Sequence, residues 1–166
     1  MRKLIAGNDG RFLLLAERSG SHSLSSAALQ QWHPEKFVAW QASVTSEHPA
    51  RYLPNLVWPY ACESPAIVVR NPVERFRSMC GYKAPRTLAE QLAEPTYGPL
   101  PTGNWAVSFR FEDQLQECAE WLGITVPLPQ LDASEESDKP TLTIEEEARV
   151  REIYAADIAL WESLQD

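Results

Sequence analysis

The sequence predicts an α/β fold, a three-layer sandwich in which a mostly parallel sheet is covered by helices on both faces. Two observations predict it. Apolar runs of strand length alternate with longer segments of helical periodicity. Two of these runs, ending at Ala16 and Val69, pass through a short turn into a helix, a connection typical of parallel sheets. The chain has 166 residues, which is the size of one domain, so residues 1–166 are expected to form a single domain.

The first half of the chain predicts two strand–helix pairs with a further strand between them. Ser23–Trp32 has apolar side chains at helical spacing, whereas Lys36–Ser43 alternates as a strand does. Ala66–Val69 is wholly apolar, which is typical of a strand buried on both faces. The expected elements, in order, are a strand at Arg11–Ala16, a helix at Ser23–Trp32, a strand at Lys36–Ser43, an irregular segment or short helix over Thr45–Pro59, a strand at Ala66–Val69 and a helix carrying Arg75 and Ser78.

The second half predicts one more strand and two more helices. Trp105–Phe111 alternates apolar and polar residues, as a half-buried strand does. Thr143 and Glu146 have the spacing of a capping box at the start of a helix. The expected elements are a loop over Lys83–Asn104, which is either a lid beside the site or a plain connection, a strand at Trp105–Phe111, a helix at Glu112–Leu122, an acidic loop over Thr125–Pro140 and a final helix at Thr143–Leu164.

The net charge of −8 is unevenly distributed along the chain. Residues 1–86 hold 11 Lys and Arg against 6 Asp and Glu, a balance of +5, whereas residues 87–166 hold 4 against 17, a balance of −13. A basic half suits a site for a multiply charged anion, although a basic face that is merely solvated is the alternative. The overall acidity argues against nucleic acid as a partner.

Neither a membrane segment nor a metal site is expected. The apolar run Leu4–Ala6 is interrupted by residues 8–11 before it reaches the length of a signal-peptide core or a membrane span. The chain is therefore expected to be cytoplasmic, with no membrane partner. Cys62, Cys80 and Cys118 lie far apart without metal-ligand spacing, which predicts reduced thiols and no zinc site.

The two turns that open helices are suited to an anion. The first strand leads into the run RSGSHS at residues 18–23, and the second leads into Arg70, a proline-containing turn and a helix with Arg75 and Ser78. The first turn either presents backbone N–H groups and a positive helix end to phosphate or sulfate, or is only a turn with a helix N-cap. It lacks the GxxxxGK[ST] pattern, so an ordinary nucleotide triphosphatase is not the first expectation.

Taken together, the two stretches resemble the sulfotransferases that use 3′-phosphoadenosine 5′-phosphosulfate (PAPS). That family's 5′-phosphosulfate loop reads roughly P-K-[ST]-G-[ST]-[ST]-S-L, and Glu17–Leu24 aligns with it. The family's 3′-phosphate motif reads R-[DN]-P-x-x-R-x-x-S-x-Y, and Arg70–Ser78 gives the more specific match. The resemblance extends to the last strand and helices and leaves Ser25–Glu63 and Lys83–Gly103 unassigned. The chain is short for the family, which implies a reduced acceptor-binding portion.

The resemblance implies a P-loop NTPase-like sulfotransferase fold and transfer of the sulfuryl group of PAPS, without a metal, to a hydroxyl or amine of a carbohydrate or small molecule. Arg18 stands where the family usually has Lys and would neutralise the leaving phosphate. Because Arg is a planar fork and Lys a compact donor, this departure affects the rate more than binding. The residues that the resemblance places on the nucleotide are Arg18, Ser19, Gly20, Ser21, His22, Ser23, Leu24, Arg70 and Ser78.

The base that takes the acceptor's proton is expected to be His48. It lies at roughly the place where some carbohydrate sulfotransferases carry a catalytic His, and imidazole suits proton transfer near neutral pH. Glu47 is the next candidate, and a purely structural His48 is the alternative. Arg75 is expected to tie its helix to a neighbouring carboxylate. Two other functions stay open: a sulfotransferase-fold protein that binds the nucleotide without turnover, and a P-loop kinase or nucleotide hydrolase.

Overall fold

The computed structural model describes residues 4–7, 9–43, 47–54, 56–57, 62–80, 86–101, 103–131 and 136–165. These residues form an α/β fold around a five-stranded mixed sheet, which confirms the predicted class. The strands are β1 Leu4–Ala6, β2 Phe12–Leu14, β3 Leu56–Val57, β4 Ala66–Val69 and β5 Ser108–Arg110. Their order in the sheet is β3-β1-β2-β4-β5. β1 is antiparallel to β2 and β3, whereas β4 is parallel to both β2 and β5.

Helices cover both faces of the sheet. Successive side chains of a strand point to opposite faces of the sheet. Leu13 and Val68 accordingly belong to one apolar cluster, and Leu14 and Ile67 belong to the other. The helices are α1 Ser21–Trp32, α2 Pro34–Ala42, α3 Pro72–Cys80, α4 Leu88–Ala93, α5 Leu115–Trp121, α6 Ile144–Ile153 and α7 Ala155–Glu162. The first cluster contains buried residues of α1 and α5, and the second is covered by partly buried residues of α7.

A third apolar cluster joins α3 to α6. Phe76 and Met79 of α3 pack with Val150 of α6 and with Tyr154, and all four are at most 3% exposed. This cluster fixes the helix that carries the second predicted motif against the C-terminal part of the chain. None of the helices in the described part of the chain is both long and apolar enough to cross a membrane.

Most of the predicted elements are confirmed, some with shorter bounds. β4 has the predicted bounds, and β2 and β5 lie inside the strands expected at Arg11–Ala16 and Trp105–Phe111. The short helix expected within Thr45–Pro59 is a 3₁₀ helix at Pro49–Tyr52. The predicted capping box is present at the start of α6.

The strand predicted at Lys36–Ser43 is wrong, because α2 occupies this segment. Pro34 stands at the first helical position, where its fixed φ and missing N–H favour a helix. Phe37 and Trp40 are three residues apart and both pack against the first apolar cluster, which is helical spacing rather than strand alternation.

Two further predictions are wrong. The single helix expected at Thr143–Leu164 is interrupted at Tyr154, whose φ of −108° and ψ of 27° are not helical. Its hydroxyl donates to the carbonyl of Tyr97 at 2.6 Å, so a tertiary contact holds the break. The loop expected over Lys83–Asn104 contains α4, which begins at a capping box between Thr87 and Glu90.

Candidate anion-binding site

The first predicted motif forms a turn with two left-handed residues at the start of α1. Arg18 has φ of 61° and Gly20 has φ of 77°. Among the described residues no side chain caps the N-terminus of α1, and the first turn carries no acidic residue. The first N–H groups of a helix lack acceptors within it and lie at its positive end. The turn therefore has the chemistry of an anion site.

Gly20 is required at its position for two reasons. Its φ lies in the region that residues with a Cβ rarely adopt. A Cβ there would also lie 2.7 and 2.9 Å from the two methyl carbons of Leu115 and 3.3 Å from a ring carbon of Phe111. The turn is therefore packed directly against the beginning of α5.

The parallel pairing of β2 with β4 brings the second motif beside this turn. Leu13 and Leu14 pair with Ala66 and Ile67, so the carboxyl ends of both strands lie at the same edge of the sheet. In parallel α/β sheets this edge is where ligands bind. The turn after β4 leads into α3, whose first N–H groups are capped by Asn71, because its Oδ1 accepts from Val73 and Glu74 at 3.0 and 3.2 Å.

Hydrogen bonds join the two motifs directly. The Arg18 guanidinium donates to Ser78 Oγ at 2.7 Å from Nη2 and at 3.2 Å from Nε, and to the Ser78 carbonyl at 3.3 Å. Arg70 Nη1 donates to the Arg18 carbonyl at 3.1 Å. Residues that are 52 and 60 positions apart along the chain thus form one cluster.

The cluster is cationic. Arg70 is half-buried over the ring of Phe111, with 4.8 Å from its guanidinium carbon to the ring centre. Burial lowers the pKa of Arg70, and the neighbouring Arg18 lowers it further, whereas Glu112 and Glu74 act in the opposite direction. Two adjacent guanidinium groups repel each other, and an anion between them relieves that repulsion. The electrostatics therefore favour a multiply charged anion.

The hydroxyl of Ser19 is an orphaned buried group. Ser19 is 2% exposed, and its Oγ has no hydrogen-bond partner among the described residues. Leaving a buried hydroxyl without a partner costs about 1–3 kcal/mol. Ligand oxygens at the start of α1 would satisfy it, so the turn fits a phosphate or a phosphosulfate.

The other residues of the first motif have structural contacts. Ser23 is 7% exposed, and its Oγ accepts from the N–H of Leu131 at 3.4 Å. The Leu24 side chain is in the first apolar cluster, and its N–H donates to the carbonyl of Gly20 at 3.0 Å. Leu24 therefore anchors the start of α1 in the core.

The 3₁₀ helix places His48 at the start of α1. His48 Nε2 lies 3.2 Å from Ser21 Oγ, and its ring stacks on His22 with centroids 4.1 Å apart and an interplanar angle of 10°. His48 Nδ1 accepts from the N–H of Ala50 at 3.1 Å. A neutral imidazole carries one proton, so this bond leaves it on Nε2, which then donates to Ser21.

The carboxylate of Glu47, the second candidate base, is hydrogen-bonded to other side chains. Its two oxygens lie 3.0 Å from Arg51 Nη1 and 3.3 Å from the hydroxyl of Tyr52. Its carbonyl accepts from the indole of Trp40 at 2.9 Å. These contacts hold the segment that carries His48 against α2.

Several residues at the site were not predicted. Glu112 follows β5, accepts from the N–H of Asn71 at 2.8 Å and accepts from the indole of Trp161 at 3.3 Å. Its place directly after a strand of the parallel part of the sheet is a sequence signal that could have identified it. Phe111 and Leu115, which support Arg70 and Gly20, give no comparable signal because any buried apolar residue would look the same.

No protein-family model, curated protein or solved structure matches this chain. Among the described residues there is no group of three or more His, Cys, Asp and Glu side chains that could hold a metal ion.

Proposed function

We propose that this site binds PAPS and that the protein transfers its sulfuryl group to a hydroxyl or amine of a carbohydrate or small-molecule acceptor. One observation carries the proposal: the hydrogen bonds that link Arg18, Ser78 and Arg70. They unite a turn suited to a phosphosulfate with a motif suited to a 3′-phosphate, at the edge of the sheet where α/β proteins bind ligands. The finer fold assignment, a three-layer P-loop NTPase-like sulfotransferase fold with β2, β4 and β5 as its parallel part, belongs to the same proposal.

Each end of the nucleotide has its own set of groups. The N–H groups of Ser21, His22 and Ser23, with the hydroxyls of Ser19 and Ser21, receive the 5′-phosphosulfate. Arg70 and Ser78 receive the 3′-phosphate, which distinguishes PAPS from ordinary adenine nucleotides.

Arg18 lies between the two ends. Its guanidinium and the positive end of α1 neutralise the charge that develops on the leaving phosphate during sulfuryl transfer. This chemistry does not require a metal ion. The acceptor is expected to reach the site past His48, since that residue lies at the start of α1 beside Ser21.

His48 is the proposed acceptor-side base, but its hydrogen bonds oppose the role in the arrangement observed. Nε2 already carries the proton of the neutral imidazole, so it can act as a base only if that proton moves to Nδ1. This requires Nδ1 to stop accepting the hydrogen bond from the N–H of Ala50. This observation favours the second candidate function, a protein that binds PAPS or its desulfated product and turns over weakly or not at all. A P-loop kinase is the third candidate and is disfavoured because the sequence lacks GK[ST].

The test is the release of 3′-phosphoadenosine 5′-phosphate (PAP) from PAPS with a panel of phenols, sugars and amines as acceptors. We expect PAP release that depends on an acceptor and is unchanged by EDTA. The Arg18→Lys variant should change the rate while leaving nucleotide affinity within about threefold, and His48→Ala should slow transfer about 100-fold. No turnover in any form, with PAP still bound, would leave the binding protein as the function. Mg²⁺-dependent phosphoryl transfer from ATP, with no release of PAP from PAPS, would favour the kinase.

A further inference from the structure

Arg75 is the most buried cation near the site, and its guanidinium contacts three different parts of the chain. It pairs with Asp157 of α7 at 3.3 Å, with side chains that are 4% and 3% exposed. This confirms the expectation that Arg75 ties α3 to a carboxylate. Nε also donates to the carbonyl of Glu17 at 3.1 Å, and Nη2 donates to the carbonyl of Gly98 at 3.2 Å.

These bonds give Arg75 a direct hold on the anion-binding turn. Arg75 binds the carbonyl of Glu17 and Arg70 binds the carbonyl of Arg18, so two successive carbonyls of the turn are fixed from the second motif. Between them lies the left-handed φ of Arg18, which costs a residue with a Cβ about 1–2 kcal/mol. Such a conformation persists only where surrounding contacts hold it.

The same pair holds the segment Tyr97–Leu100. Asp157 accepts from the N–H of Leu100 at 3.0 Å to each carboxylate oxygen, and Tyr154 donates to the carbonyl of Tyr97 at 2.6 Å. With the bond from Arg75 to Gly98, three backbone groups of this segment are fixed. The segment lies at the end of the stretch expected to be either a lid beside the site or a plain connection.

We propose that Arg75 and Asp157 are a positioning pair that holds Glu17–Gly20 in its anion-binding conformation and couples this turn to Tyr97–Leu100. The ligand named in the test rests on the proposed function, whereas the positioning role does not. Asp157 balances the charge of Arg75, so the pair acts on the nucleotide through the backbone of the turn rather than as a third cation. Order at Tyr97–Leu100 and order at the turn then rise and fall together.

Two variants and a matched control test the pair. Arg75→Lys keeps the charge beside Asp157 but loses the planar fork that serves three acceptors at once. Asp157→Asn keeps an acceptor for Leu100 and loses the charge that holds Arg75. Arg77→Lys is the control, because Arg77 lies on the same helix and also donates to a backbone carbonyl, that of Pro140, and to two carboxylates, none of them in the turn.

The first measurement is hydrogen–deuterium exchange of the peptides that cover the turn, which needs no ligand. We expect the amides of residues 15–24 to exchange faster in Arg75→Lys and Asp157→Asn than in the wild type and in Arg77→Lys. Exchange in both variants that equals that of the control would overturn the proposal. If circular dichroism shows that a variant does not fold, the coupling is tested in the wild type instead. PAP should then slow hydrogen–deuterium exchange at Tyr97–Leu100, and unchanged exchange there would contradict the coupling.

The second measurement separates positioning from direct contact with the ligand. Both variants should lower the binding affinity for PAP and for adenosine 5′-phosphate by the same factor, about tenfold, because the turn binds the 5′ end of either nucleotide. Loss confined to PAP would mean that Arg75 contacts the 3′-phosphate itself and would refute the positioning role. A wild-type chain that binds no PAP refutes the proposed function alone, since exchange in the turn still decides the role of the pair.

Discussion

Replacing Gly20 with Ala should destabilise the protein through two separable effects. The left-handed φ of 77° costs an alanine about 1–2 kcal/mol. The new Cβ would lie 2.7 and 2.9 Å from the methyl carbons of Leu115, and relieving such overpacking costs about 1–3 kcal/mol. We therefore expect the free energy of unfolding to fall by about 2–5 kcal/mol, as measured by urea denaturation followed by circular dichroism.

Gly10 provides a matched control for Gly20. Its φ is 71°, and a Cβ built there has nothing within 4 Å, so Gly10→Ala should cost only the conformational part, about 1–2 kcal/mol. Adding Leu115→Ala to Gly20→Ala should make the double variant more stable than the sum of the single effects by about 1 kcal/mol. Equal losses for the two glycine variants, or strict additivity with Leu115→Ala, would refute the packing of the turn against α5.

Three further predictions concern stability elsewhere. Asn71→Ala removes the cap of α3 and should lower the free energy of unfolding by about 1 kcal/mol, whereas Asn71→Asp should change it by only a few tenths; an unchanged thermal midpoint in the alanine variant would contradict this. Thr143→Ala breaks the capping box with Glu146 and should lower the free energy of unfolding by about 1 kcal/mol in urea denaturation; a midpoint equal to that of the wild type would argue against the cap. Burial raises the pKa of Cys118 to about 12, so its contribution to stability is complete below about pH 8.5, where the unfolded thiol titrates, and is lost as the pH rises toward the folded pKa. Cys118→Ala should flatten the alkaline decline of unfolding free energy, and an unchanged slope would argue that this thiol is not protected.

The local parts of the site could be predicted because short-range chemistry determines them. The wholly apolar run of β4 and the proline-containing turn after it indicate a strand, a turn and a helix within a few residues. The contact of Arg18 with Ser78 could not be predicted in the same way. It depends on the pairing of β2 with β4 and on the left-handed conformation of Arg18, which are set by contacts distant in sequence.

The errors in the fold also have physical causes. Lys36–Ser43 alternates as a strand does, but Phe37 and Trp40 are three residues apart, which places them on one face of a helix, and Pro34 at the first position of α2 favours the helix. Tyr154 continues a helical stripe, yet its hydroxyl bonds to Tyr97 and the helix breaks there. β1 has three residues and owes its conformation to neighbours on both sides. Tertiary partners therefore overrode the local pattern at Tyr154 and at β1, whereas the error at α2 came from a local signal, Pro34.

The tautomer of His48 is the feature of the site that sequence could say least about. A histidine near a binding turn invites assignment as a base, but the N–H of Ala50 on Nδ1 and the hydroxyl of Ser21 at Nε2 define a different arrangement. Only the backbone path of the 3₁₀ helix reveals this.

The most direct test of the central claim, that the two motifs form one site for a 3′-phosphorylated nucleotide, is calorimetric titration with PAP and with adenosine 5′-phosphate. We expect PAP to bind at least tenfold more tightly than adenosine 5′-phosphate, Arg70→Ala to remove this preference and Arg77→Ala to retain it. Equal affinity for the two nucleotides, or a preference that survives Arg70→Ala, would contradict the claim that Arg70 recognises the 3′-phosphate. No binding of either nucleotide by the folded protein would reduce the cluster to a structural junction between β2 and β4.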